Sequence, residues 1–110
     1  MFQVKSRIWV ENKETIFLGE GRIQLLKAIE KTGSLSKAAK SLDMSYKKAW
    51  NLIDAINKTA PKPMVEKSTG GTNGGGTIIT SYGKKKIIQF EHLKHKCWDF
   101  MKAQNELLQD

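Results

Sequence analysis

A polar run at residues 45–51, Ser-Tyr-Lys-Lys-Ala-Trp-Asn, carries side chains suited to hydrogen bonding with DNA bases. Lysine can donate to O6 and N7 of guanine, and the Asn51 amide can form a bidentate pair with adenine. The side chains that we expect to meet bases are Ser45, Tyr46, Lys47, Lys48 and Asn51. The run therefore predicts a surface that reads base edges in the major groove.

Two short helices joined by a tight turn are the elements that would position this run. Ser34 and Ser45 can cap the two helices, and residues 42–44 make the turn. The second helix is apolar at i, i+3, i+4 and i+7, which gives one stripe facing a core: Ala49, Leu52, Ile53 and Ile56. The pattern over residues 22–58 predicts a helix-turn-helix, whose second helix enters the major groove.

The start of the first of these helices offers contacts to phosphates. Ser34, Ser36 and Lys37 can supply hydroxyls, backbone amides and charge there. Simple solvation of each lysine is the alternative interpretation. Trp50 borders the apolar stripe, and we therefore expect it to pack between helices rather than stack on a base.

The charge balance favours a polyanionic partner. The 110 residues carry 19 Lys and Arg against 11 Asp and Glu, with a pI near 9.7. Residues 22–58 alone hold eight basic and three acidic side chains. Because the basic charge coincides with the helix-turn-helix pattern, we favour double-stranded DNA as the partner over a role in solubility alone.

The sequence shows no membrane or secretion signal, because it has no apolar run of membrane-spanning length and no apolar N-terminal core. The single cysteine, Cys97, excludes an intramolecular disulfide and fits a reducing compartment. We therefore expect a soluble cytoplasmic protein associated with the nucleoid. His92, His95 and Cys97 are close in sequence, but a ligand at i+5 turns away from ligands at i and i+3. We expect no metal and no cofactor.

The first 18 residues predict a β-hairpin. In residues 4–10, apolar or small side chains at the even positions alternate with larger, mostly charged side chains at the odd positions. This period of two is typical of a strand with one buried face. Residues 11–14 then form a turn and residues 15–18 a second strand. Gly19-Glu-Gly21 breaks that strand and opens a helix over about residues 22–31.

Residues 64–80 predict a second hairpin, which is a candidate wing. Two strand-like stretches flank a glycine-rich loop at residues 68–76. Lys67, Thr72 and Asn73 are the residues there that we expect to approach the DNA backbone or the adjacent minor groove. A hairpin with no contact role is the alternative. Nucleotide binding is a weaker one, because the loop lacks the Gly-Lys-Ser/Thr ending of a P-loop.

Residues 81–108 predict one long C-terminal helix. Its apolar residues recur at steps of three and four, with Gln104 filling one step: Phe90, Leu93, Cys97, Phe100 and Leu107. Such a seam is buried if two copies of the helix pair in a symmetric dimer. The alternative is that the seam packs onto the N-terminal hairpin of its own chain. We favour the homodimer, because helix-turn-helix proteins commonly read paired half-sites.

The assembled residues resemble the N-terminal DNA-binding domain of ModE-type molybdate-responsive transcriptional regulators, which are winged helix-turn-helix proteins of the LysR-like group. The resemblance covers about residues 18–90 and is most specific at residues 45–50 and at two glycine clusters, Gly70-Gly71 and Gly74-Gly-Gly76. It implies a DNA-binding module.

This sequence departs from the family pattern in three places. Asp43 stands in the turn where the family often has a small residue, and we expect its carboxylate to tighten the turn by accepting a local hydrogen bond. Thr72-Asn73 stand where the family usually has a basic residue in the wing. Full-length regulators of this type continue into molybdate-binding domains, whereas this sequence ends at Asp110. The resemblance therefore does not extend to molybdate sensing, and an effector-sensing partner chain is one further partner to consider.

Together these patterns predict an α+β, mostly helical fold with one domain over residues 1–110. The predicted architecture is a winged helix-turn-helix with an N-terminal β-hairpin and a long C-terminal dimerisation helix. The predicted function is transcription regulation by a dimer that binds specific DNA at two half-sites. A winged-helix adaptor that binds proteins instead of DNA is the alternative. An enzyme ranks lowest, because the histidines and the cysteine share one helix with no paired carboxylate or nucleophile elbow nearby.

Overall fold

The computed structural model describes residues 1–68 and 76–110, and it confirms the predicted winged helix-turn-helix fold. Its elements in chain order are β1 (Trp9–Asn12), β2 (Thr15–Gly19), α1 (Glu20–Thr32), α2 (Leu35–Ser41), α3 (Tyr46–Thr59), β3 (Val65–Ser68), β4 (Gly76–Ile79) and α4 (Ser81–Gln104), followed by a 3-10 turn, Asn105–Leu108. The strands form two separate antiparallel hairpins, β1 with β2 and β3 with β4. The second hairpin is the wing.

The N-terminal hairpin is shorter than the sequence predicts. Its pairing runs from Trp9 opposite Gly19 to Asn12 opposite Thr15. Lys13 and Glu14 make the two-residue turn with positive φ angles of 51° and 67°, which matches the twist of the flanking strands.

The prediction that the first strand begins at Val4 is wrong. In the part of the chain that the structure describes, no strand lies opposite residues 4–8, because β2 passes directly into α1 after Gly19. Residues 1–8 run instead beside the end of α4. There the Phe2 amide donates to Gln109 Oε1 at 3.3 Å and the Val4 amide donates to Asn105 Oδ1 at 2.9 Å.

One core holds the helices and both hairpins together. Helix α1 is central to it, because four of its side chains are fully buried: Ile23, Leu25, Leu26 and Ile29. The other elements each supply apolar side chains to the same cluster, among them Leu18, Ala38, Ala39, Ala49, Ile53, Ile56, Val65, Ile79, Ile87 and Phe90. The predicted stripe of α3 is buried apart from Leu52, which is only half-buried and packs at the edge of the cluster.

The helix-turn-helix is closed by backbone geometry at both junctions. Gly33 ends α1 in the left-handed conformation, with φ 69°, which glycine adopts readily past a helix end. Its carbonyl accepts a hydrogen bond from the Thr77 amide of the wing at 3.0 Å. Asp43 occupies the α2–α3 turn with φ 52°. The turn is closed by backbone amides, with Met44 donating to the Ala39 carbonyl at 2.9 Å. Among the described residues the Asp43 carboxylate accepts no hydrogen bond, so the prediction that it tightens the turn is wrong. What the position requires is a left-handed backbone conformation, which a small residue such as glycine adopts at little cost.

Helix α4 begins in the core and then leaves it. Thr80 caps it by accepting from the Gly83 amide at 2.9 Å and donating to the Pro63 carbonyl at 2.7 Å. The last buried residues along α4 are Phe90 and Lys94, and the molecule extends to 61 Å along its longest axis. No helix in the described part of the chain is long and apolar enough to cross a membrane.

Candidate nucleic-acid interface

The first turn of α3 presents the polar run to solvent. The Ser45 hydroxyl caps the helix by accepting from the Lys48 amide at 3.1 Å, which leaves the side chains after it pointing away from the core. Tyr46, Lys47, Lys48 and Asn51 are all exposed. Their backbones are held rigidly from behind by the buried residues Ala49 and Ile53. The structure therefore brings the five predicted base-contacting residues to one exposed helix end.

The first turn of α2 is built in the same way. Ser34 caps it by accepting from the Lys37 amide at 3.1 Å, and the side chains of Ser36 and Lys37 are exposed. Capping uses the acceptor of Ser34, so its hydroxyl hydrogen is still available to donate to a phosphate oxygen. Both helix starts carry the partial positive charge of a helix N-terminus.

Lysines at these two helix starts are free to meet a polyanion. Within the described residues no carboxylate lies within 4.0 Å of Lys37, Lys47 or Lys48. On the last turn of α3, by contrast, Lys58 pairs with Asp54 at 2.8 Å. The first turns of α2 and α3 therefore carry positive charge that no carboxylate in the described part of the chain neutralises.

Two basic residues of α1 contact other elements of the fold instead of standing free for a ligand. Arg22 Nη1 donates to the carbonyl of Ile16 at 2.9 Å, and burial lowers the pKa of Arg22. Lys27 pairs with Glu91 of α4 at 2.9 Å. These contacts join α1 to the N-terminal hairpin and to α4, so Arg22 and Lys27 help to hold the fold together and are not part of the candidate interface.

Trp50 is the residue whose sequence interpretation the structure corrects. It keeps 48% of its surface exposed, where packing between helices was expected. The reason is angular: Trp50 lies about 90° around α3 from the centre of the buried stripe, on the flank that it shares with Tyr46 four residues earlier. The angle of Trp50 on a helical wheel predicts this exposure, whereas its position next to the buried Ala49 in sequence does not.

Asn57 is a residue whose supporting role the sequence reasoning missed. Its Oδ1 accepts from the amides of Met64 at 2.9 Å and Val65 at 3.2 Å, and its Nδ2 donates to the Val65 carbonyl at 2.9 Å. One side chain therefore fixes the start of the wing to α3. Lys67 lies exposed on β3, opposite Thr77, whereas Thr72 and Asn73 fall outside the described residues.

The predicted seam of α4 divides between two environments. Phe90 is 3% exposed and packs in the core of its own chain, so it is corrected from a dimer contact to a core residue. Leu93 borders a groove with Val10 and Tyr82 and is 42% exposed, and Cys97 is half-buried. Phe100 is 67% exposed, and Leu107 is 79% exposed in the 3-10 turn.

No three metal-ligating side chains come together among the residues that the structure describes. His95 instead stands edge-on to Trp98, with ring centroids 6.0 Å apart.

Comparison with known proteins supplies the family. Residues 21–84 match the model of the bacterial regulatory helix-turn-helix proteins of the lysR family. The chain belongs to that family. The match begins in α1 and ends in the first turn of α4, so it includes α2 and α3, whose exposed first turns form the candidate interface.

Curated relatives confirm the resemblance to ModE-type regulators. The chain is 39% identical over 85 residues to the transcriptional regulator ModE of Haemophilus influenzae, covering 77% of this chain and 33% of that protein. It is 46% identical over 77 residues to the molybdenum transport protein ModE of Azotobacter vinelandii, covering 70% and 28%. Against the DNA-binding transcriptional dual regulator ModE of Escherichia coli the identity is 32% over 108 residues, covering 96% and 41%.

The chain thus spans between about a quarter and two fifths of the length of these relatives. A solved structure of a LysR family transcriptional regulator has the same fold, with a TM-score of 0.55 at 17% identity over 70% of this chain and 25% of that one.

Proposed function

We propose that this protein is a DNA-binding transcriptional regulator that reads specific sequences with the first turns of α3. The observation that carries the proposal is the exposed end of α3. Tyr46, Lys47, Lys48 and Asn51 stand together there, and neither lysine has a carboxylate partner among the described residues. Exposed, unneutralised donors on a rigid helix start are suited to base edges in the major groove.

The start of α2 supports this by offering an anchor for the DNA backbone. Ser34, Ser36 and Lys37 supply hydroxyl, amide and ammonium donors, which are the groups that hold phosphates. Contacts of this kind fix the orientation of the duplex, and α3 then supplies the sequence discrimination. Trp50, exposed beside Tyr46, adds an apolar surface that suits a thymine methyl group or a sugar.

The wing is the third contact that we propose. Lys67 is exposed on β3, and Asn57 ties the start of that strand to α3. The wing is therefore held at a fixed angle to the recognition helix. Lys67, Thr72 and Asn73 stay candidates for contact with the backbone beyond the major groove.

We also propose that the protein acts as a homodimer through the part of α4 outside its own core. Leu93, Cys97 and Phe100 lie on one face of the helix, and Leu107 follows in the 3-10 turn. Pairing of two such faces buries apolar surface that is exposed in one copy and places two α3 helices on two half-sites. Occupancy of such a paired site regulates transcription by steric exclusion or by recruitment. Because the genome is the target, the cytoplasm is the proposed compartment.

The test is selection of bound duplexes from a random DNA library, followed by anisotropy titration of the enriched sequence at increasing salt. We expect one enriched sequence bound with a Kd of about 10 nM or tighter, and an affinity that falls steeply with salt. Weak binding without any enriched sequence would remove sequence-specific regulation. The adaptor interpretation, in which the winged fold binds another protein, would then be the better one.

A further inference from the structure

Lys94 is a charged residue buried at the point where α4 leaves the core. Its side chain is 11% exposed and its ammonium lies 2.9 Å from Glu91 Oε2, one turn earlier on α4. The same ammonium lies 3.2 Å from Oε2 of Glu20, in the first turn of α1. The ring of Trp98 closes a further side, with its centroid 5.0 Å from Lys94 Nζ.

A second ion pair joins the same two helices further along α1. Glu91 uses its other oxygen, Oε1, to pair with Lys27 at 2.9 Å. Glu20 and Lys27 are seven residues apart, so they share one face of α1 at points about 10 Å apart. One turn of α4 is therefore tied to α1 at two separated points, and two contacts fix a crossing angle where one would allow rotation. The four residues, Glu20, Lys27, Glu91 and Lys94, carry two positive and two negative charges and are called the α1–α4 clamp below.

Among the described residues no core side chain holds α4 beyond this turn, and its projecting half contacts the N-terminal segment, where Ser6 Oγ donates to Met101 Sδ at 3.2 Å. Ile87 and Phe90 are the apolar side chains that seat α4 against the core, and Lys94 is its last buried residue. Ten further residues then lead to Gln104, a lever of about 15 Å. A change of about 10° at the clamp would move the end of that lever by about 3 Å.

We propose that Lys94 is a positioning residue that sets the direction of the projecting half of α4 relative to the helix-turn-helix, and thereby the spacing of the half-sites that a dimer reads. Helix α1 leads directly into α2 through Gly33, so the clamp connects the DNA-reading unit to the dimerisation helix. Lys94 lies about 100° around α4 from Leu93, so it acts on the helix direction without contacting the second chain. This inference rests on the proposed function for its consequence at DNA, but not for its effect on α4.

The first test measures helix direction in the full chain without DNA. Nitroxide labels at Lys31→Cys on α1 and Ala103→Cys on α4, both exposed positions outside the clamp, report their separation by double electron–electron resonance. The background is Cys97→Ala, and unlabelled chain is added to suppress distances between copies. We expect Lys94→Met to broaden the distance distribution at least about twofold, because Met keeps the packing while removing the charge. Lys96→Met is the matched control, since Lys96 is exposed on the same helix and pairs with no carboxylate in the described residues, and it should leave the distribution unchanged.

The pair is tested by Glu20→Gln, which keeps the shape of the side chain and removes its charge. We expect it to broaden the distribution as well, and the double variant with Lys94→Met to add little, because both changes break one contact. An unchanged distribution in a folded Lys94→Met variant would overturn the proposal.

The second test uses the selected half-site in pairs separated by different spacers. We expect the unsubstituted chain to favour one spacer by about tenfold or more, and Lys94→Met to favour none by more than about threefold while binding a single half-site normally. Retained spacer preference in Lys94→Met would contradict the inference. Failure of the unsubstituted chain to bind any specific DNA would refute the proposed function instead, and the distance measurement would still decide whether the clamp sets helix direction.

Discussion

Replacing Lys47 and Lys48 together by alanine should separate DNA binding from folding. Both side chains are exposed, and neither has a carboxylate partner in the described part of the chain. Alanine keeps the helix, and the Ser45 cap acts on the Lys48 backbone amide, which the substitution leaves in place. The free energy of unfolding should therefore change by no more than about 0.5 kcal/mol.

The expected loss of affinity follows from the same geometry. A hydrogen bond from a charged donor contributes about 1.5 kcal/mol or more, so losing two amounts to about 3 kcal/mol, or roughly 150-fold in Kd. If both ammonium groups meet phosphates, the slope of log affinity against log salt should also become shallower by about 1.8.

The assay is anisotropy titration of the selected duplex at several salt concentrations, alongside urea unfolding of the free protein. Lys96→Ala with Lys102→Ala is the matched control, because it removes the same charge from exposed positions on α4. We expect the control to weaken binding less than about fivefold, since those charges lie outside the proposed interface. Equal losses in the two double variants would show that only total charge matters, and unfolding of the Lys47 and Lys48 variant would show a structural role.

Three further predictions concern the elements that hold the interface in place. Asn57→Ala should lower the free energy of unfolding, measured in urea, by about 2 kcal/mol, because three hydrogen bonds to the wing are lost. Asn51→Ala, on the exposed face of the same helix, is the control and should change this free energy by less than about 0.5 kcal/mol. Gly83→Ala should destabilise the fold by about 1–3 kcal/mol, because a Cβ there would lie 2.8 Å from Ile79 Cγ2 and closer still to the Met64 carbonyl. Gly21→Ala is the control: a Cβ there would have no atom within 4 Å, so this change should be neutral or stabilising. Thermal unfolding compares the two variants. Hydrogen bonds from Lys27 and Lys94 lower the pKa of Glu91 below its ordinary 4.5, so its stabilising contribution is present above 4.5 and is lost as the pH falls through the lowered value. Unfolding at pH 7 and pH 3 should therefore show a smaller acid loss for Glu91→Gln than for Glu30→Gln, and equal losses would contradict the role of this ion pair.

Local chemistry made much of this fold predictable from the sequence. The caps Ser34 and Ser45 mark helix starts through hydrogen bonds to amides three residues later, so their spacing in the sequence located them. The exposed end of α3 followed from the same reasoning, because an apolar stripe on one side leaves the polar run on the other.

Features that depend on distant residues could not be read from local patterns. Alternation predicted a strand from Val4, yet the described residues offer no partner strand there. The amides of Phe2 and Val4 instead donate to side chains at and just after the 3-10 turn, more than 100 positions away. Phe90 fits a heptad-like seam by spacing, but α4 packs against the core of its own chain through Ile87 and Phe90. The α1–α4 clamp joins Glu20 to Lys94 across 74 positions, and no single-sequence pattern marks such a pair.

The central claim is that α3 reads DNA in the major groove. Methylation interference on the selected duplex tests this most directly, because dimethyl sulfate modifies N7 of guanine in the major groove and N3 of adenine in the minor groove. We predict that methylated guanines within each half-site abolish binding and that methylated adenines interfere only where the wing approaches. Interference confined to adenine N3, or none at any guanine of the enriched sequence, would contradict the claim.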